Sequence, residues 1–377
     1  VFMVLAFLAL ISLLIILWQW VVAWKFPLHR RMGDKTFAPP LTLLKPLKGL
    51  DDNTMECLKS WLRQDYTGPV QVLFGVASEQ DPVCELVEQL IKKYPHANIK
   101  LVFCHESLGV NAKVSSLIQL LRKAENEVIV VSDADVFVPK DFLTNAVAPL
   151  RATEVGLVNC FYRLANPSTF AMRWEAIAIN ADFWSHVLQS QSLASLDFAL
   201  GAVMVTRRDA LLKMGGFDVL ADHLADDFQL GNRMLRQTGK QIALCPIVVD
   251  CRSAPMNWRE VWAHQLRWAR TIRVCRPVPY ALTIFSNATL WPLLWAVAYP
   301  CPWSFLTLGV CLFLRVMTSQ DLQKRLGTVA GQWRFWWLAP VKDLLQCALW
   351  ALAFYGNHIT WRGQRFRLQR DGRLVRD

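Results

Sequence analysis

Apolar and polar positions fall into three regimes along the chain. Residues 1–24 (VFMVLAFLALISLLIILWQWVVAW) are apolar except for Ser12 and Gln19. About 20 such residues span a bilayer, so the pattern predicts a transmembrane anchor over 1–24. Its positive charge follows the apolar run, whereas a signal peptide carries that charge ahead of a shorter core. The order places residues 25–35 in the cytoplasm. Residues 36–250 alternate short apolar β-type runs with helical patterns. Strands are predicted at 41–44, 70–77, 99–104 and 128–132, with helices near 53–64, 82–94 and 111–123. Strands apolar throughout, alternating with helices, imply an α/β domain around a parallel sheet covered on both faces.

The third regime begins near residue 278. An apolar run to Met317 breaks around Pro300 and Pro302, which predicts two spans joined by a turn. The polar stretch 318–335 reads as cytoplasmic. The last apolar stretch, 336–355, is interrupted by Lys342 and Asp343, and its unbroken part is short for a span. A re-entrant or interfacial helix there keeps the arginine-rich tail 361–377 in the cytoplasm, whereas an ordinary fourth span would export it.

Composition narrows the class. Of 377 residues, 54% are hydrophobic and 19% charged, against about 25% charged in soluble domains. Disorder, a collagenous repeat and a small disulfide scaffold are excluded. Seventeen Trp suit membrane–water interfaces. The net charge is nevertheless +11. The excess is segmental: Lys25, Arg30, Arg31 and Lys35 against Asp34, then six Arg against Glu260 in 252–276, then six Arg against Asp371 and Asp377 in 361–377. Each segment adjoins an apolar run, which reads as juxtamembrane charge and not as a nucleic-acid surface. No nucleic-acid partner is expected. The ten Cys include no C-x-x-C pair, and no Cys/His spacing suits zinc. They read as reduced thiols of a cytoplasmic domain.

Candidate chemistry sits where the strands end, because α/β sheets bind ligands at the carboxyl ends of their strands. Asp81 follows the second strand, Asn111 and Lys113 the third, and Asp133 and Asp135 the fourth. Two Asp at i, i+2 after a buried strand can share one cleft with Ala134 turned away. Their oxygens suit Mg²⁺ shared with substrate phosphates; the alternative is a cap on the following helix. Asp226 and Asp227 open another helix, either as favourable charge at its dipole or as a general base. Residues 257–270 (NWREVWAHQLRWAR) form an amphipathic helix, anchored at the interface by Trp258, Trp262 and Trp268, whose Arg residues could also face a phosphate.

These residues resemble a known set. Asp81, Asp133-x-Asp135, Ala225-Asp226-Asp227 and the run His264–Trp268 (HQLRW) resemble the D, DxD, (E/D)D and (Q/R)xxRW motifs of family-2-type glycosyltransferases. More narrowly, the chain resembles ceramide glucosyltransferases in residues 43–49 (LLKPLKG), Asp81-Pro82, 109–113 (GVNAK) and Trp361-Arg362. Residues 264–273 (HQLRWARTIR) are similar to the bacterial branch associated with hopanoid biosynthesis. The resemblance covers nearly the whole chain. It implies a GT-A (Rossmann-like) domain over 36–250 with the N-terminal anchor, an interface helix at 251–276 and transmembrane or interfacial helices in 278–360. The implied reaction is inverting transfer of glucose or N-acetylglucosamine from a UDP-sugar to a lipid hydroxyl, on ceramide or a hopanoid polyol. By position, Asp81 would meet the uridine side, with Lys113 also in the donor site. Asp133 and Asp135 would hold the ribose–diphosphate and Mg²⁺ or Mn²⁺. Asp227, beside Asp226, would be the general base. Arg267, Trp268 and His264 would close the donor site. His264 stands where Gln or Arg is usual, and Asp226 where Glu is commoner. The implied setting is a membrane, the inner one if the source is bacterial, with the catalytic domain in the cytoplasm. Two rivals remain: a processive polysaccharide synthase, disfavoured by the short C-terminal membrane region, and a non-catalytic membrane scaffold with a nucleotide-binding fold, disfavoured by the presence of all four motifs.

Overall fold

The computed structural model describes residues 2–32, 34–361 and 364–376. Arg362 of the Trp361-Arg362 pair lies outside them. Eight strands form the main sheet: β1 (Leu41–Leu47), β2 (Val70–Val76), β3 (Asn98–Phe103), β4 (Val128–Ser132), β5 (Val136–Phe137), β6 (Val155–Leu164), β7 (Val203–Arg207) and β8 (Gln241–Cys251). Their spatial order is β3-β2-β1-β4-β7-β6-β8-β5.

The first four strands are mutually parallel. Beyond β4 the sheet is mixed, which corrects the wholly parallel expectation. β7 runs antiparallel to β4 and β6, while β8 is parallel to β6 and antiparallel to β5. The reason lies in register. Ser132, the last residue of β4, pairs with Val203, the first of β7. β7 therefore starts where β4 ends and must run back. This reversal brings the 199–202 loop beside the end of β4, where Asp133 N–H donates to the Ala202 carbonyl at 3.2 Å.

Successive strand residues feed opposite layers, as a two-residue period requires. Val128 and Val130 join Leu41, Leu43, Trp61 and Phe74 on one face. Ile129 and Val131 join Leu44, Leu73, Leu117 and Trp184 on the other. Burial on both faces is why these strands are continuous apolar runs.

The membrane helices invert that logic. In the helix Phe2–Lys25 the buried positions are Ala9, Ser12, Ile16, Gln19 and Ala23, a stripe spaced alternately three and four residues apart that faces one side. Both polar residues of the apolar run thus turn inward, and Phe7, Leu10, Leu14 and Val21 turn outward. Gln19 donates to Gln189 at 2.8 Å, and Trp20 Nε1 to Asp321 at 2.7 Å. The helix Pro302–Leu326 likewise buries Arg315, Thr318, Ser319 and Gln323 while exposing Trp303, Phe305, Leu306 and Phe313. Among the described residues these two helices are long and apolar enough to cross a membrane. A third candidate is the pair Pro277–Ser286 and Leu290–Ala298, bent by 54° at its break. Pro302–Leu326 runs nine residues past Met317, into the stretch expected to be a polar linker. The helix Leu338–Ala353 has 16 residues and buries Lys342 and Asp343.

The C-terminal segment departs from expectation. It is not a free basic tail but a second, antiparallel sheet of β9 (His358–Trp361), β10 (Gln364–Leu368) and β11 (Leu374–Arg376). Ile359, Phe366, Leu368 and Leu374 form a small core against Val110, Leu224 and Val274. Arginines interleaved with those apolar positions mask the alternation in the sequence.

Candidate active site

The polar residues at the strand ends are arranged by the sheet and by one buried Asn. Asn111 caps the helix Ala112–Lys123: its side chain accepts from the N–H of Lys113 at 3.0 Å and of Val114 at 3.2 Å. Its Nδ2 donates to the His223 carbonyl at 2.8 Å. A single side chain thus fixes the helix that carries Lys113 and the loop that leads to Asp226. Lys113 Nζ lies 2.8 Å from Asp133 Oδ1 and 3.1 Å from Asp226 Oδ2. Burial alone would lower its pKa, but the fields of Asp133 and Asp226 outweigh that and hold the ammonium charged.

Asp226 and Asp227 open the helix Asp226–Thr238. Burial, then the neighbouring Asp226, pushes the Asp227 carboxyl up to about 7. Its Oδ1 accepts from Phe228 N–H at 2.7 Å. The 198–201 loop lies hard against it. A Cβ on Gly201 would stand 2.8 Å from Asp227 Oδ2, and one on Gly231 would stand 2.5 Å from the Ala199 nitrogen. Both positions need glycine for close approach, not for an unusual backbone angle. Asp135 is raised to about 6, by burial and then by Asp133.

Two further charged residues escape a reading of the sequence. Lys45, fully buried in β1, donates from Nζ to Ser132 Oγ at 3.1 Å and to the Asp133 carbonyl, and lies 5.3 Å from the Trp61 ring. Burial lowers its pKa to about 8. It braces the peptide that carries Asp133 from behind. Glu175, also buried, meets the HQLRW run. In each case the signal was a lone charge among apolar neighbours.

HQLRW lies on the helix Trp258–Cys275, which begins with a capping box between Asn257 and Glu260. His264 Nδ1 is 2.7 Å from Glu175 Oε1. The His264 and Trp268 rings meet edge-on at 4.9 Å, and Trp268 packs 5.9 Å from Phe183. Three further arginines of the basic segment have partners in the protein. Arg270 donates to the carbonyls of Tyr355 (2.9 Å) and His358, Arg273 donates to Asn357 Oδ1, and Arg276 pairs with Asp197.

A cavity of about 1020 Å³ connects these groups. Its wall includes Lys113, Asp133, Asp135, Asp226 and Asp227, then His264, Arg267 and Trp268. It continues to Asn287, Lys342 and Trp350 of the membrane region. Asp182, from the π-helical stretch Ala178–Phe183, also faces it. There Arg315 lies 3.0 Å from Asp182 and 2.8 Å from Asp343, and Lys342 bonds Asp182 and lies 3.3 Å from Asp343. Asp81 is outside the cavity wall. Its carboxylate accepts from Gly49 N–H at 3.0 Å and Val83 N–H at 3.1 Å, shaping the turn whose Gly49, Leu50 and Asp51 line the cavity.

The fold is similar over 94% of this chain to the mannosyltransferase PcManGT of Pyrobaculum calidifontis, solved with GDP-Man and Mn²⁺. That match covers 98% of the other chain, with a TM-score of 0.54 and 19% identity. The mixed sheet is that of a GT-A glycosyltransferase fold, here joined to helices long and apolar enough to cross a membrane. The chain belongs to Glycosyl transferase family 21, whose profile matches residues 2–374. Ceramide glucosyltransferase 1 of Caenorhabditis elegans is 22% identical over 360 residues, covering 93% of this chain and 76% of the relative. Ceramide glucosyltransferase 3 of the same organism is 26% identical over 213 residues, covering 56% of this chain. The chain spans 46% of the length of that second relative.

Proposed function

We propose that this glycosyltransferase moves glucose or N-acetylglucosamine from a UDP-sugar to the hydroxyl of a membrane lipid, such as ceramide or a hopanoid polyol, at the cytoplasmic face. The observation that carries the reading is one continuous cavity lined both by strand-end carboxylates and by membrane-helix residues. A water-soluble donor and a lipid acceptor can meet only in such a space.

In this reading Asp227 takes the proton from the acceptor hydroxyl. The hydroxyl oxygen bonds to the anomeric carbon as the bond to the UDP oxygen breaks. One base suffices for a single displacement, so the anomeric configuration inverts. A positioned base of this kind contributes roughly 10²–10⁴-fold. Arg267 stabilises the negative charge that grows on the departing diphosphate. Asp133 and Asp135 fit Mg²⁺ or Mn²⁺: they supply hard oxygens, and their mutual repulsion, expressed in the raised Asp135 carboxyl, favours a dication. No group of three or more His, Cys, Asp or Glu suited to a metal occurs among the described residues. That suits an ion which completes its shell with substrate phosphates and water. When bound, the ion neutralises charge on the diphosphate.

The test is to reconstitute the full chain in vesicles containing ceramide, add UDP-glucose or UDP-N-acetylglucosamine, and measure UDP release and lipid mass. Equal amounts of UDP and glycosylated lipid are expected. A hexose polymer in place of a monoglycosylated lipid would move the reading to a synthase, and no UDP release with any lipid would end it.

A further inference from the structure

Glu175 is a carboxylate with 1% exposure, on the cavity wall, and the reaction as proposed does not use it. It lies in the helix Phe170–Ile177. One oxygen, Oε1, receives two side chains: His264 Nδ1 at 2.7 Å and Gln265 Nε2 at 2.8 Å. Consecutive helix residues point about 100° apart. An acceptor that satisfies both must lie in the groove between them, which fixes the rotation and depth of the helix Trp258–Cys275. A second tie fixes its start. Thr169, which caps the Glu175 helix, donates from Oγ1 to the Met256 carbonyl at 2.6 Å. The two helices are therefore registered at two points, and Arg267 and Trp268 follow His264 and Gln265 within about one turn.

The imidazole is constrained as well. Its contact with Glu175 Oε1 is made through Nδ1, which fixes the orientation of the ring. His264 itself is on the cavity wall.

We propose that Glu175 is a positioning residue for transfer: it sets the His264 ring and the helix turn bearing Arg267 and Trp268 against the donor's diphosphate. This role rests on the functional reading above. It also accounts for a His at a position where the resembled motif carries Gln or Arg, since a carboxylate behind the ring gives it one orientation.

The experiment measures kcat and donor KM for the full chain in ceramide-containing vesicles with UDP-glucose, alongside thermal unfolding and UDP binding. Misplacement by about 1 Å can cost on the order of 10²-fold. Glu175→Ala is expected to lower kcat roughly 10- to 100-fold, with a smaller change in donor KM. Glu175→Gln, whose carbonyl still accepts both bonds, should stay within about 3-fold of the parent. On a His264→Ala background, Glu175→Ala should cost much less than it does alone, because the pair acts as a unit. If Glu175→Ala does not fold, Glu175→Asp replaces it: the charge stays, the reach is lost and kcat falls at an unchanged melting temperature. A residue serving only as a staple would lower the melting temperature and leave kcat per folded molecule intact; that result, or full additivity with His264→Ala, overturns the proposal. A parent chain that binds UDP and transfers sugar while Glu175→Ala keeps its kcat refutes only this role. A parent chain that neither binds UDP nor releases it from UDP-glucose overturns the functional reading and this role with it.

Discussion

At Asp227, burial and the adjacent Asp226 outweigh the pull of Lys113 and hold the carboxyl at about 7. A raised carboxyl is protonated below its pKa and cannot take a proton there. Transfer should therefore increase with pH through about 7, read as the acid limb of kcat/KM in the free enzyme. A limb that stays near pH 4 would remove Asp227 from the role of base. Asp227→Asn should lower kcat by roughly 10²–10⁴-fold and leave UDP binding in place; near-parental turnover would contradict the assignment. Gly201 belongs to the same argument, since any side chain there enters the space of Asp227 Oδ2.

The membrane elements carry their polar residues inward, and Arg315 is the clearest case. It is 5% exposed and bonded to Asp182 and Asp343. Removing one partner of a buried ion network leaves charge uncompensated, at about 3–5 kcal/mol. Arg315→Leu should lower the unfolding temperature markedly in detergent, and Arg315→Leu with Asp343→Leu should recover part of the loss. An unchanged melting temperature would show that the network carries no stability. The same elements mark where the sequence is legible. β1 to β4 are apolar runs alternating with helices, so local pattern finds them. β6, β7 and β8 are also apolar, but the reversed direction of β7 against β4 and β6 follows from the return of the chain at Val203, which no local period encodes. Asp133, Asp135, Asp226 and Asp227 were visible as carboxylates at element ends. Lys45 and Glu175 were not, because their partners lie 87 and 89 residues away. In 361–377, arginine spacing read as topology charge conceals strands whose apolar residues close over Leu224, two residues before Asp226.

Over the whole molecule, several residues of the basic segments pair with the protein's own carboxylates, while the net charge of +11 stays unmatched within the chain. Arg31 pairs with Asp141 and Lys35 with Asp65, both at 2.5 Å, so the segment after the first helix is tied to the α/β domain. On the cavity wall Asp133 and Asp135 stand close, and the reading of them as a metal pair makes a global prediction. EDTA should stop transfer and added Mg²⁺ or Mn²⁺ should restore it; full turnover in EDTA would refute the pair's role. The inward stripe of the anchor has a consequence for how the chain is made. Gln19 bonds a residue 170 positions later, and Trp20 one 301 positions later. At about 5–20 residues per second, Asp321 is synthesised roughly 15–60 s after Trp20. Gln189 follows Gln19 sooner, after roughly 9–34 s at the same rate, so the helix acquires its two polar partners one after the other. A helix made before residues 189 and 321 is thus fully packed only after both have followed it, and its inward polar stripe has to wait for them.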